Sequence, residues 1–126
     1  MARIQHRFIR CRDDFFAVLS ECLHRAREFE RKAPGDALVK NIRQQLEAVE
    51  QWTANGRRPT KEERQQIVFG LQVVRELEPP PTPALAKWGD RLTEISFYFK
   101  HWRSDVEWNA LDDGDFEVFF PDDYAP

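Results

Sequence analysis

Residues 82–106, TPALAKWGDRLTEISFYFKHWRSDV, decide the fold. Thr82 can cap a helix, and Pro83 suits the first helical position because an N–H there would have no partner. The large apolar residues recur at alternating steps of three and four, which places them on one stripe of an α-helix. They are Leu85, Trp88, Leu92, Ile95, Phe99, Trp102 and Val106. A period of about 3.5 residues is typical of the seam of an antiparallel bundle, so we predict a packed helix over residues 83–110.

Two further helices are predicted near the N-terminus, over residues 13–33 and 36–55. Asp13 or Asp14 can cap the first, and Asp36 can cap the second. Each segment carries an apolar stripe at helical spacing. The stripes consist of Phe15, Leu19, Cys22, Ala26 and Phe29 in the first helix, and of Leu38, Ile42, Leu46, Val49 and either Trp52 or Thr53 in the second. We expect both helices to turn these faces toward a common core.

A third helix is predicted over residues 60–77. Thr60 and Glu63 have the spacing of a capping box, in which each side chain accepts from the other residue's backbone N–H. The segment is apolar on nearly all sides, so it should be the most buried helix. Gly70 in its middle costs about 1 kcal/mol relative to alanine, which suggests the close approach of a neighbouring helix. The prolines at 79–81 end the segment.

Short connections between these segments favour antiparallel neighbours. The sequence therefore predicts an all-α, up-down antiparallel four-helix bundle. It forms a single domain over residues 1–126, with an extended acidic and aromatic C-terminal tail over residues 111–126. A content of 41% hydrophobic and 33% charged residues is typical of a soluble globular protein. An apolar face left over from the bundle would permit self-association.

The cellular compartment is predicted from two sequence features that the chain lacks. No apolar run approaches the roughly 20 residues that cross a bilayer. The first residues are basic but lack the apolar stretch of a secretory signal. We therefore expect no contact with the membrane and a cytoplasmic protein, in which Cys11 and Cys22 are reduced thiols.

Charge is distributed unevenly between the two ends of the chain. Residues 1–12 carry four arginines and no acid, whereas residues 104–126 carry eight acids and no Lys or Arg. The acidic end would repel phosphates, so we expect no nucleic-acid partner. The basic end has two interpretations: it binds an anion, or it docks on the acidic end of its own chain.

No pattern in the sequence carries catalysis or binds a metal. The five glycines are scattered and form no phosphate-binding loop. Cys22 and His24, two apart on a helix, point about 200° apart and cannot share a metal. Acidic neighbours such as Asp112 and Asp113 diverge, whereas catalytic carboxylates must converge on one point. We therefore expect a binding protein rather than an enzyme, with no metal and no cofactor.

The order of the helix and turn signals resembles a known family. The matching motifs are Ile42-x-x-Gln45-Leu46-x-x-Val49, the turn Arg57-Arg58-Pro59-Thr60, Glu63-Arg64-x-x-Ile67-x-x-Gly70, Arg75-Glu76-Leu77-Glu78, and a Pro-rich turn before Leu85. From about residue 25 to residue 98 the chain resembles the small helical immunity proteins of bacterial type VI secretion. These proteins neutralise effectors that hydrolyse NAD(P)+ or modify nucleotides.

The resemblance implies that the partner is a cognate toxin with a basic active-site cleft. An acidic surface would be steered to such a cleft and would block it, while aromatic rings supply affinity. The candidate contacts are acidic or aromatic residues, and they lie either on one face of the fourth helix or in the tail. They are Glu94, Tyr98, Asp105, Trp108, Asp112, Asp113, Asp115, Phe116 and Phe119. Alternatively, the aromatic residues of the tail cover the bundle's own groove and leave only carboxylates outside.

Two other functions stay open at this point. The chain could be a helical adaptor or regulatory protein that binds another basic protein. It could also be a small enzyme or ligand-binding bundle, which a cavity lined by converging polar groups would favour. A toxin gene directly upstream would favour an immunity protein over an adaptor.

Overall fold

The computed structural model describes residues 8–70, 72 and 82–110, and over these the chain is helical and contains no strand. The helices are α1 Arg12–Lys32, α2 Ala37–Trp52, α3 Lys61–Gln66, α4 Pro83–His101 and α5 Asp105–Asn109, with a 3-10 turn at Ala54–Gly56. The predicted tail, 111–126, lies outside the described residues, as does the predicted helical segment 73–77. The all-α class is confirmed over the described residues, while the four-helix up-down arrangement stays a prediction.

The core forms where α1 packs against both α2 and α4. The predicted stripes supply most of it, since Leu19, Ile42 and Leu92 are all fully or almost fully buried. Their buried neighbours on the same stripes are Phe15, Cys22 and Ala26 on α1, Leu46 and Val49 on α2, and Trp88, Ile95 and Phe99 on α4. None of the described helices is both long enough and apolar enough to cross a bilayer.

Both cysteines are free thiols, as predicted. Cys22 lies on the inner face of α1, and its burial raises the pKa of its thiol to about 12. A thiol with so high a pKa carries almost no thiolate at neutral pH and is therefore a poor nucleophile.

Three of the predicted helix starts are confirmed by hydrogen bonds. The carboxylate of Asp36 accepts from the N–H groups of Leu38 and Val39 at 3.0 and 3.1 Å. Thr60 and Glu63 form the predicted capping box, with bonds of 2.9 and 3.1 Å. The Thr82 hydroxyl caps α4 by accepting from the N–H of Leu85 at 3.1 Å, with Pro83 in the first turn. These starts form locally because each cap and the backbone N–H groups that donate to it lie within three residues.

The predicted cap of the first helix is wrong. Cys11, and neither Asp13 nor Asp14, is the N-cap residue, and its side chain makes no capping bond. The first N–H of the helix, on Arg12, instead donates to the carboxylate of Asp105 at 2.8 Å. Asp105 therefore acts as a remote cap for α1, from the opposite end of the chain.

The third helix was predicted to be continuous, but the structure breaks it. It ends at Gln66, and Ile67 is extended at φ −92° and ψ 121°. The N–H of Val68 donates to the Gln45 side chain of α2 at 2.7 Å, and helical residues resume at Phe69. The break allows Ile67 and Phe69 both to be fully buried, while Val68 between them is 43% exposed. Gly70 is buried, and its predicted close contact stays a prediction.

The fourth helix ends earlier than predicted, at His101. Trp102 adopts a left-handed conformation, φ 44° and ψ 57°, and its N–H donates to the Tyr98 carbonyl at 2.8 Å. This conformation costs a non-glycine residue roughly 1–2 kcal/mol. The buried ring of Trp102 offsets this cost by packing edge-on against Phe15, with centroids 5.4 Å apart. The turn sends α5 in a new direction, so Val106 is 81% exposed and not part of the core stripe as predicted.

Candidate partner-binding surface

The N-terminal strap, residues 8–12, lies across the C-terminal half of α4 and against α5. The carboxylate of Glu94 accepts from the backbone N–H groups of Phe8 and Ile9, at 3.1 and 3.4 Å. Ile9, within the strap, is fully buried. Glu94 therefore holds the start of the strap on the face of α4 that was predicted to be open.

Arg12 fastens the other end of the strap. Its Nε donates to the Tyr98 hydroxyl at 2.7 Å and its Nη2 to the Arg103 carbonyl at 2.9 Å. The guanidinium also lies over the Trp102 ring, 4.1 Å from its centroid, which is a cation–π geometry. Burial raises the pKa of the Tyr98 hydroxyl, so at neutral pH it accepts from Arg12 as an un-ionised phenol.

Trp108 joins α5 to the strap. Its ring is fully buried, and its indole N–H donates to the Ile9 carbonyl at 2.8 Å. The ring packs against Tyr98 and Phe97, with centroids 4.7 and 5.0 Å away. The neighbouring Asn109 donates to the Arg10 carbonyl at 2.8 Å. Together these contacts seat a very short helix firmly on the core.

The structure brings the four described candidate residues together around the strap. Glu94 is half-buried, Tyr98 and Trp108 are fully buried, and Asp105 is exposed. Tyr98 is a core residue although it lies off the apolar stripe of α4, because the strap covers this face. Residues 8–12 contact the start of the acidic end mainly through backbone groups, which bind Asp105, Trp108 and Asn109. The remaining candidates, Asp112, Asp113, Asp115, Phe116 and Phe119, lie outside the described residues.

The outer face of α5 is what this region presents to solvent. Asp105, Val106 and Glu107 are successive exposed residues of its first turn, spaced about 100° apart around the helix axis, and we call them the acidic ridge. The Glu107 carboxylate accepts from the backbone N–H of Ser104, and the Ser104 hydroxyl accepts from the Glu107 backbone N–H. Hydrogen bonding to the side chain and the backbone of Ser104 holds the pKa of the Glu107 carboxyl below the ordinary value. The ridge thus presents an exposed apolar side chain between two carboxylates.

Sequence reasoning missed Arg12 and Val106 as residues of this region. Arg12 was counted as a basic end residue, although its place directly before Asp13 and Asp14 marks a helix start. Val106 fits the α4 periodicity, so only the bend at Trp102 reveals that it points outward. The signal for that bend was Ser104 with Glu107, a capping-box spacing inside the supposed helix.

A ligand-binding interpretation finds little support in the groove between α1 and α4. This groove has a volume of about 380 Å³, and Cys22, Phe29 and Trp88 are among its lining residues. Charged residues on its rim pair with one another, such as Arg91 with Glu21 at 3.4 Å and Arg25 with Glu28 at 3.3 Å. These groups satisfy each other instead of converging on a common point in the groove.

The fold and this surface define a small all-α domain with a rigid, charged face. Within residues 8–70, 72 and 82–110, no three His, Cys, Asp or Glu side chains cluster in a way that could hold a metal. The Tsi6 family model matches residues 16–101. The chain therefore belongs to the Tsi6 family of type VI secretion immunity proteins, as the sequence predicted.

The family match covers α1 to α4 and ends just before Trp102, so it includes Glu94 and Tyr98 but not the acidic ridge. Tsi6 is an immunity family and is not known for enzymatic activity. No curated protein and no solved structure matches the chain.

Proposed function

We propose that this immunity protein binds a cognate secreted toxin and blocks its active site, with the acidic ridge of α5 at the contact. The observation that carries the proposal is the exposure of Val106, 81%, between two exposed carboxylates on a helix anchored by a buried tryptophan. An apolar group flanked by like charges is a surface that a basic and partly apolar partner can bind.

Rigidity favours the acidic ridge as a binding element. Trp108 fastens α5 from below, and the capping box between Ser104 and Glu107 holds its first turn. A surface that is already ordered loses little conformational entropy when it binds. Tyr98, Trp108 and Glu94 would then support the contact through the strap, while Asp105 and Glu107 would face the toxin.

The charge of the ridge indicates the class of toxin. An enzyme that hydrolyses NAD(P)+ or modifies nucleotides has an anionic substrate and therefore needs a basic cleft. Such a cleft attracts an acidic surface over a distance of several ångströms and speeds association. In this proposal the tail candidates Asp112, Asp113, Asp115, Phe116 and Phe119 extend the contact beyond the ridge. Protection would take place in the cytoplasm, where such substrates are found.

The proposal is tested with the product of the neighbouring toxin gene. The wild-type chain should co-purify with it and abolish its activity. Val106→Arg should weaken affinity at least tenfold, about 1.4 kcal/mol, because it sets a cation against a basic cleft. Val68→Arg is the matched control, since Val68 is also an exposed valine and its backbone N–H is bonded to Gln45 of α2.

The outcomes separate the candidate functions. A wild-type chain that neither binds nor inhibits the toxin would overturn the proposal, and capture of an unrelated basic protein would then favour the adaptor alternative. Equal toxin affinity for the Val106→Arg and Val68→Arg proteins would move the contact away from the ridge.

A further inference from the structure

A basic pocket of about 360 Å³ lies at the C-terminal end of α4, beside the acidic ridge. Cations reach it from three parts of the chain: Arg58 before α3, Arg64 on α3, and Lys100 and Arg103 around the end of α4. His101, Trp102 and Glu107 complete the lining. Arg58 and Arg64 form one pair in sequence and Lys100 and Arg103 another, and the two pairs are at least 36 positions apart, so only the fold brings them together.

The pocket is electrostatically unusual for this protein. The whole chain has a net charge of −3, yet four cations and one carboxylate line this pocket. The charges act on His101, whose pKa falls to about 4 because of burial and the nearby Arg103, Arg64 and Lys100. His101 is therefore neutral at pH 7, and Arg58, Arg64, Lys100 and Arg103 are the charged basic groups of the pocket.

Hydrogen bonds among the described residues leave one buried donor of the pocket, on Arg64, without an acceptor. Arg64 donates through Nη1 to the Lys100 carbonyl at 3.2 Å, which caps the end of α4. Its Nε is buried and has no acceptor among the described residues. The carboxylate of Glu107 is engaged by Ser104. By contrast, the neighbouring Arg57 is matched by Glu63 at 3.0 Å.

We propose that this basic pocket docks a carboxylate side chain of the toxin. The inference rests on the proposed function, because a protein partner carries its negative charge mainly on Asp and Glu. Arginines suit a carboxylate because their planar N–H groups can bind both oxygens. Glu107 belongs to both the pocket and the acidic ridge, so one interface presents both signs of charge side by side. Such an arrangement fixes the orientation of the partner and disfavours wrong ones.

The test removes two cations from the pocket without disturbing the cap on α4. Arg58→Ala combined with Arg103→Ala is compared with Arg31→Ala combined with Lys40→Ala, which removes two exposed cations from α1 and α2. Affinity for the toxin is measured by calorimetry at low and high salt. The pocket variant should lose about tenfold to a hundredfold in affinity, with a shallower salt dependence, since charged hydrogen bonds are lost. The control should remain within about twofold.

Failure of this inference differs from failure of the proposed function. A wild-type chain without affinity for the toxin removes the proposed function itself. If the wild type binds, Val106→Arg weakens binding and the pocket variant binds as tightly as the control, only the carboxylate docking is overturned. A lowered melting temperature with unchanged affinity leads to the same conclusion, because the cations would then serve stability alone.

A titration of the free protein with inorganic phosphate separates a partner site from a small-anion site. Saturable phosphate binding at submillimolar concentration, abolished in the pocket variant while toxin affinity is unchanged, would overturn docking in favour of a phosphate site. Weak, unsaturated binding together with lost toxin affinity supports docking of a carboxylate.

Discussion

The α1–α2 hairpin and the junction of the strap with α4 and α5 are both well buried, but they are held in different ways. In the hairpin, apolar stripes meet across a short turn, and ion pairs such as Arg43 with Glu30 at 2.7 Å line the edge. In the junction, polar side chains bind backbone groups 85 to 99 residues away. The hairpin is therefore stabilised by local contacts, and the junction by closing the chain on itself.

This difference bears on where the partner binds. Each end of the chain binds backbone groups of the other end in this junction. Asp105 accepts from the first N–H of α1, and Arg12 donates to the Arg103 carbonyl just beyond α4. Such contacts form together or not at all, because each depends on the strap being in place. The acidic ridge and the basic pocket both adjoin this junction, so their geometry depends on it.

The largest expected effect is that of Trp108→Ala. Removal of a buried tryptophan typically lowers the free energy of unfolding by about 3–5 kcal/mol, and Leu46→Ala in the hairpin by about 2–5 kcal/mol. Urea unfolding of the two variants compares the two regions directly. A loss below about 1 kcal/mol for Trp108→Ala would show that the junction contributes little to stability.

A smaller effect is expected from Arg12→Met, which keeps the apolar stem and removes the donors. Two hydrogen bonds and the contact over Trp102 are lost, so the free energy of unfolding should fall by about 2 kcal/mol. The control is Arg27→Met, which removes a surface pair with Glu47 worth about 0–1 kcal/mol. Equal melting temperatures for the two variants would contradict a fastening role for Arg12.

The smallest effect concerns pH and His101. Its pKa lies below the ordinary value, 6.5, at about 4, so the unfolded chain takes up a proton before the folded chain does. Stability should therefore decrease as pH falls from about 6.5 toward about 4. Because the ring is only half-buried and solvent screens the nearby cations, the loss is on the order of 1 kcal/mol. His101→Gln should flatten the dependence of the free energy of unfolding on pH in this range. An unchanged slope would contradict a role for His101.

Local signals account for much of the fold. The caps at Asp36, Thr60 and Thr82 were predictable because a cap and the N–H groups it binds lie within one turn of helix. The stripes of α1, α2 and α4 were predictable because helical spacing alone determines which residues share a face. The break at Val68 was not predictable, because Gln45, which stabilises it, comes from another element. The bend at Trp102 had a local signal in the capping box of Ser104 and Glu107, but the packing of Phe15 on Trp102 comes from α1.

The sequence by itself determined the helical class, the family and the inner faces of the long helices, since these depend on neighbours within a few turns. Only the tertiary structure decided that Tyr98 and Trp108 are core residues and that Val106 is exposed. It also decided that Asp105 caps a helix 93 residues away, and that four basic residues share one pocket. The physical reason is that burial and charge pairing depend on distance in space, which the strap and the bend at Trp102 set together.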